Sequence, residues 1–212
     1  MSRRIRWGVL GTANIGRAAV NPAIQASATS ELVAVASRDS TRARAFAAAG
    51  DIPRSYGSYQ ALLDDPDVDA VYIPLPNNLH HPWTIRAAEA GKHILCEKPL
   101  ALTAAECADM EAAATAHRVL LLEAFMYRFH PRNQKLIEMV RGGAVGDLTL
   151  IRSAFTFRLT RPANIRLRPD LGGGALLDVG CYCVDAARRL AGALPVEVQA
   201  WATYGDTGVD TL

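Results

Sequence analysis

The sequence has almost no surplus of either charge, no cysteine pair at metal-finger spacing and no long apolar run. Lys plus Arg number 23 and Asp plus Glu 21, leaving a formal charge of +2. That balance excludes a protein that works by electrostatic attraction to nucleic acid, and it excludes an acidic tail. The four cysteines, at positions 96, 107, 181 and 183, include no Cys-x-x-Cys pair and match no zinc framework. The five histidines are scattered, and the adjacent His80 and His81 would diverge on a helix, so no metal site is expected. No apolar stretch approaches the length of a membrane span. The stretch after Arg3, Arg4 and Arg6 is broken by Gly8 and Gly11, unlike a signal peptide. Free thiols in a reducing cytoplasm are the expected state of the cysteines. Internal repeats and low-complexity linkers are also lacking.

What remains is the material of a packed core. Half of the 212 residues are apolar, enough for one large or two small domains and too many for a disordered chain. The first half alternates strand and helix. Strands are expected at 5–10, 32–37, 70–73, 93–96 and 119–122, and helices at 15–28, 41–49, 58–63, 80–90 and from Thr103 to about 116. Thr103 with Glu106 three residues on forms a capping box, while Gly50 and Gly91 stop helices. Short buried strands joined by helices give a parallel sheet covered on both faces. After about residue 123 the pattern changes. A helix over 131–141 is followed by a long alternating segment, 148–159, then a basic loop over 161–170, a helix over 176–190 and a strand over 196–204. Long alternating strands predict a second, mainly antiparallel sheet. The expected architecture is α/β: a doubly wound Rossmann domain over 1–123, then an incomplete α+β domain over 124–212. The chain stops directly after its last strand, which reads as a fragment or as a domain completed by a partner.

The chemistry sits at strand ends. The first strand runs into Gly8-Val-Leu-Gly11-Thr-Ala13-Asn-Ile-Gly16, a dinucleotide fingerprint in which Gly11 makes the tight turn, Gly16 allows helix packing and Ala13 replaces the middle glycine. Gly11, Thr12, Ala13, Asn14 and Ile15 are its candidate cofactor contacts. The second strand ends at Ser37-Arg38-Asp39. An acidic residue there suits the ribose diol of NAD, whereas Arg38 suits a 2′-phosphate. NADP is therefore the expected cofactor, with NAD the alternative through Asp39. Leu75, Pro76, Asn77 and His80 follow the third strand, and Glu97 and Lys98 follow the fourth, where open α/β sheets bind ligands. A lysine held in a short turn there is well placed for proton transfer. Further on, Asp178, Tyr182 and Asp185 are spaced i, i+4, i+7 and share one face of a helix. A nearby ammonium such as that of Lys98 would stabilise the Tyr182 phenolate.

Five motifs, in order, resemble the Gfo/Idh/MocA family of dinucleotide-dependent sugar oxidoreductases. They are Gly11-Thr-Ala-Asn-Ile-Gly16, residues 70–80 ending in Pro-Leu-Pro-Asn-Asn-Leu-His80, Ala90-Gly-Lys-His-Ile-Leu-Cys-Glu-Lys-Pro99, Glu123-Ala-Phe-Met-Tyr-Arg-Phe-His-Pro131, and residues 172–185. The resemblance covers nearly the whole chain and points to the branch of glucose–fructose oxidoreductase and of the dihydrodiol and xylose dehydrogenases. It implies hydride transfer between nicotinamide and a sugar or cyclic diol hydroxyl carbon. Lys98 matches the family lysine at the reacting centre, and Asp178 a substrate-site aspartate. Tyr182 falls where many members have an acid/base histidine and this branch has tyrosine. Arg128 matches a residue beside the nicotinamide, and Arg166 a cofactor-proximal arginine. The family also implies a sugar or polyol as the small-molecule partner, a homo-oligomer at full length, and more of the second sheet than this chain contains. The competing readings are a non-catalytic dinucleotide-binding regulator and an inactive truncated homologue.

Overall fold

Six short parallel strands make one sheet because each is either wholly apolar or flanked by turn formers. A computed structural model describes residues 3–161 and 163–211; Pro162, within the basic loop expected over 161–170, lies outside them. The chain divides into two compact units, residues 1–124 and 125–212.

In the first unit the strands are β1 (Ile5–Leu10), β2 (Ser30–Ala36), β3 (Arg54–Tyr56), β4 (Ala70–Ile73), β5 (His93–Cys96) and β6 (Leu121–Glu123). They lie in the order β3-β2-β1-β4-β5-β6, and every neighbouring pair is parallel. This is the doubly wound order, with its switch point between β1 and β4. The five expected strands are present with ends shifted by a few residues. The sixth, β3, carries the three residues Arg-Ser-Tyr at the sheet edge, too short and polar to announce itself by apolar pattern.

The helices are α1 (Asn21–Ala26), α2 (Ser40–Ala49), α3 (Tyr59–Leu63), α4 (His80–Glu89) and α5 (Ala104–Ala116). A π-turn, Gly16–Val20, leads into α1. Successive residues of a strand face opposite sides, and this divides the core. Leu10, Val71 and Ile73 pack with Leu62, Ala87 and Met110 on one face. Val9, Val35 and Tyr72 pack with Ile24, Ala47 and Ile52 on the other. The N-caps follow from sequence. Asp39, Ser58 and Thr103 each accept backbone N–H groups of the first turn.

Two cations, one half-buried and one buried, brace the amino-terminal edge of the sheet. Arg6 grips Asp69 through Nε and Nη2 at 3.0 and 2.9 Å. That grip holds the Asp69 carboxyl down at about 2. Lys92 is buried and donates Nζ to the carbonyls of Asp65 and Val68 at 2.7 and 2.8 Å. The lysine of the Ala-Gly-Lys-His motif is thus a structural clasp.

The second unit has helices α6 (Pro131–Arg141) and α7 (Cys181–Ala191), the latter entered through a π-turn, Leu176–Gly180. Among its described residues there is no named strand, only one antiparallel bridge between Tyr204 and Asp210. The expected strands over 148–159 and 196–204 are not hydrogen-bonded into a sheet. Their alternating apolar side chains lie open, with Leu150 66%, Val198 75% and Trp201 86% exposed. Alternation is a pattern of residues for a sheet; the ladder that completes it needs partner strands.

Candidate active site

At the carboxyl end of β1, Gly11 donates its N–H to the Ala36 carbonyl at 2.9 Å and adopts φ +120°. A β-carbon there would stand 3.0 Å from Leu75 Cδ2. Glycine is required by both the backbone sign and the close approach. Thr12 and Ala13 are half-buried, while Asn14 and Ile15 are exposed as the helix opens. This open turn, leading into a helical N-terminus, suits a dinucleotide phosphate.

The end of β2 separates the two candidates for the adenosine ribose. The Asp39 carboxylate accepts the N–H groups of Thr41 and Arg42 at 2.8 and 3.1 Å, capping α2. The buried Ser37 hydroxyl accepts the Asp39 N–H at 3.3 Å. Arg38 is exposed. The acid that would bind a ribose diol is engaged by the helix, and the cation that would bind a 2′-phosphate faces outward.

The ends of β4 and β5 are tied together. Glu97 accepts the Tyr72 hydroxyl at 2.7 Å and the Lys98 N–H at 3.3 Å, and its own N–H donates to the Ile73 carbonyl at 3.1 Å. Glu123 accepts the Leu100 N–H at 2.9 Å. Lys98 is half-buried between these braces. Pro76 and Asn77 are also half-buried, and Leu75 is buried. His80 has no exposed surface, and its ring nitrogens lie 2.8 Å from the carbonyl oxygens of Leu75 and Pro99. Its role at this edge therefore runs through the two loops. Tyr72 was not singled out by sequence reading, since an apolar run hides a tyrosine whose ring packs in the core and whose hydroxyl reaches out.

In the second unit, Gly172-Gly173-Gly174 folds back on the 166–168 segment. Gly173 and Gly174 donate to the carbonyls of Arg168 and Arg166, both at 2.9 Å. A β-carbon on Gly173 would lie 2.5 Å from the Arg166 carbonyl oxygen, and one on Gly174 2.0 Å from Asp210 Oδ1. The turn thereby delivers Arg166 to Asp178, with Nε 2.5 Å from Oδ2. Asp210 accepts the Leu176 N–H at 2.6 Å. Phe155, Phe157, Arg166, Asp178, Val209 and Asp210 line a cavity of about 320 Å³, the volume of a small-ligand pocket.

Tyr182 lies among aromatic rings, with centroids of Phe125, Phe155 and Tyr127 at 5.1, 5.4 and 5.8 Å. Arg128 covers the Phe125 ring at 4.3 Å and grips Asp185 through Nη2 at 2.6 Å. The Tyr127 hydroxyl donates to the same carboxylate. Burial alone would push Asp185 up, but the Arg128 and Tyr127 hydrogen bonds overcome it and hold the carboxyl below the usual range. Burial, then the Asp185 hydrogen bond, raises Tyr127 well above an ordinary phenol. The π-turn interrupts the single face read for Asp178, Tyr182 and Asp185. Asp178 meets Arg166, and Asp185 meets Arg128.

The family model for the oxidoreductase family with an NAD-binding Rossmann fold matches residues 5–125. The chain belongs to the Gfo/Idh/MocA oxidoreductase family. The model of the Gfo/Idh/MocA C-terminal domain matches residues 133–211. A D-xylose 1-dehydrogenase (NADP(+)) of Haloferax volcanii is 50% identical over 207 residues, 97% of this chain and 63% of that protein. An aldose-aldose oxidoreductase from Caulobacter crescentus, solved with glycerol, superposes with TM-score 0.90 at 34% identity, covering 98% of this chain and 65% of that one. A 3-ketoreductase from Actinomadura kijaniata, solved with NADP and TDP-benzene, gives TM-score 0.80 at 40% identity, covering 88% and 57%. The chain thus spans less than two thirds of these relatives' own length. Among the described residues no helix is long and apolar enough to cross a membrane.

Proposed function

We propose that the full-length protein is an NADP-dependent oxidoreductase that moves a hydride between nicotinamide and the carbon bearing a sugar or cyclic diol hydroxyl. The observation that carries this reading is the end of β2, where Asp39 caps a helix and Arg38 is exposed. Two family relatives support it, the D-xylose 1-dehydrogenase (NADP(+)) and the 3-ketoreductase solved with NADP. Gly11, Thr12, Ala13, Asn14 and Ile15 would hold the pyrophosphate, Ser37 and Arg38 the 2′-phosphate. The loops of Leu75, Pro76, Asn77 and Glu97 would hold the nicotinamide half, with His80 behind them and Arg128 and Arg166 contributing from the second unit. When bound, the dinucleotide takes or supplies the hydride at nicotinamide C4.

Tyr182 Oη, as phenolate, would take the hydroxyl proton during oxidation and, as phenol, give it back during reduction, and Lys98 Nζ would stabilise the phenolate form. Asp178 would accept a substrate hydroxyl hydrogen bond, oriented by Arg166. The reading includes a substrate and dimerisation domain over 124–212 whose alternating segments pair in an antiparallel sheet, and a cytoplasmic homo-oligomer.

Fluorescence titration with NADPH and with NADH tests the cofactor. Tighter NADPH binding supports the reading, and a preference for NADH overturns the Arg38 assignment. A panel of aldoses and cyclic diols then tests the full-length enzyme. Lys98→Ala is expected to lower turnover by about 10²–10⁴-fold, the usual range for a proton-transfer group, with NADPH affinity nearly intact. Equal loss of both would defeat the assigned role.

A further inference from the structure

His80 begins α4, directly behind the two loops that the proposed function assigns to the nicotinamide half. It is completely buried. Its Nδ1 lies 2.8 Å from the Pro99 carbonyl oxygen and its Nε2 lies 2.8 Å from the Leu75 carbonyl oxygen. Both partners can only accept. A neutral imidazole has one N–H and one bare lone pair, so in that state one of the two contacts would set a lone pair against a carbonyl oxygen. Only the doubly protonated ring donates to both.

The consequences reach three chain segments. Pro99 follows Lys98, so the first carbonyl belongs to the loop that carries the lysine. Leu75 belongs to the β4 loop, and its Cδ2 fills the space where a Gly11 β-carbon would stand. The fingerprint turn, the β4 loop and the lysine loop are thereby held in register by one ring. Burial is the largest influence and, with Lys98, holds the ring below the usual imidazole range against the pull of the two carbonyls and Glu97; the two short contacts to acceptors are the observation that points the other way. Charge-assisted hydrogen bonds are the stronger kind, and here there are two, both to backbone.

We infer that His80 is an imidazolium clamp, a positioning residue that donates to the Leu75 and Pro99 carbonyls and so sets Lys98 and the β4 loop relative to the Gly11 turn. The inference rests on the proposed function only for what the loops hold, because the ring itself can be observed without any ligand.

The test is a long-range ¹H–¹⁵N correlation spectrum of the ¹⁵N-labelled chain at pH 7, which distinguishes protonated from bare ring nitrogens. Both His80 nitrogens are expected to read as protonated. One bare nitrogen overturns the clamp. A second measurement follows the backbone amides in His80→Gln, whose side chain offers one donor group and one acceptor. Resonances of Leu75 and Asn77 on one loop and of Lys98 and Leu100 on the other are expected to shift together, with β1 and β2 left in place; a shift confined to one loop overturns the clamp. If this variant does not fold, the ring spectrum of the unaltered chain decides alone. NADPH titration of both proteins separates the two ideas. Absence of binding by the unaltered chain counts against the proposed function while the ring spectrum still decides the clamp. With binding intact there, His80→Gln is expected to weaken it by about tenfold, the worth of about one hydrogen bond lost to the displaced loops.

Discussion

Arg38 and Asp39 are neighbours with opposite charge, and their fates differ because one of them starts a helix. Asp39 accepts both of its α2 hydrogen bonds at Oδ1, a capping role whose loss costs about 1 kcal/mol. Arg38 has no such local duty. Replacing it with Ala is expected to weaken NADPH binding by about 10–100-fold, the worth of one or two hydrogen bonds to a charged group, with NADH affinity within about threefold of its starting value. Parallel fluorescence titrations check this, and equal weakening of both dinucleotides would show that Arg38 does not read the phosphate. Candidate residues of this kind were legible in the sequence because their position is local: a strand end, a fixed offset from Gly11. Their partners were not. Nothing in the spacing of Arg128 and Asp185, or of Arg166 and Asp178, announces that they meet, since those pairs depend on how a 3₁₀ turn and a helix pack. Tyr72 was hidden for the opposite reason: it sits in a locally unremarkable run and acquires its role only from a second loop. His80 was legible as a strand-end candidate, but its two carbonyl partners were not.

Elements were readable to the extent that their hydrogen bonds close locally. Helix caps at Asp39, Ser58 and Thr103 and the buried strands β1, β4 and β5 are set by near neighbours. The edge strand β3 and the π-turns are not, because a three-residue ladder and an extra residue in a helical turn leave no periodicity to read. The triple glycine is an intermediate case. It reads as a turn, but its steric reason emerges only against Arg166 and Asp210. Gly174 has φ +119° and no room for a β-carbon. Gly174→Ala is therefore expected to destabilise the second unit by roughly 2 kcal/mol or more, combining backbone strain with displacement of the Asp210 cap. Urea denaturation followed by circular dichroism measures it. A change within about 0.5 kcal/mol, the range of neutral surface substitutions, would contradict the packing described. The Arg6–Asp69 clasp between β1 and the approach to β4 makes a different prediction. The Asp69 carboxyl is lowered from 3.8 to about 2, so its contribution is full above the unfolded value and is lost as pH falls through the folded one. Stability of the unaltered chain relative to Asp69→Asn is expected to be greater by about 1 kcal/mol near neutral pH, after solvent screening. That advantage should shrink between pH 3.8 and about 2. A gap independent of pH would show that the pair contributes by packing rather than by charge.

At the scale of the whole molecule the two units differ in how far they complete themselves. The first has a sheet with a buried cluster on each face, and every strand in it comes from residues 5–123. Such a layered α/β arrangement satisfies its own backbone and buries its own apolar stripes. The described part of the second unit has helices, an aromatic cluster around Tyr182 and a cavity, but leaves long alternating segments without a ladder and large side chains such as Trp201 and Val196 exposed. The physical expectation is unequal autonomy. Residues 1–124 expressed alone should fold, unfold in one cooperative transition by circular dichroism, and bind NADPH through the β1 and β2 ends. Residues 125–212 alone should show no cooperative transition, because their secondary structure is marginal without tertiary partners. A fragment 1–124 that lacks a cooperative transition would mean that its two-faced core is insufficient by itself. A fragment that folds but ignores NADPH would place the decisive cofactor contacts among Arg128, Arg166 and their neighbours.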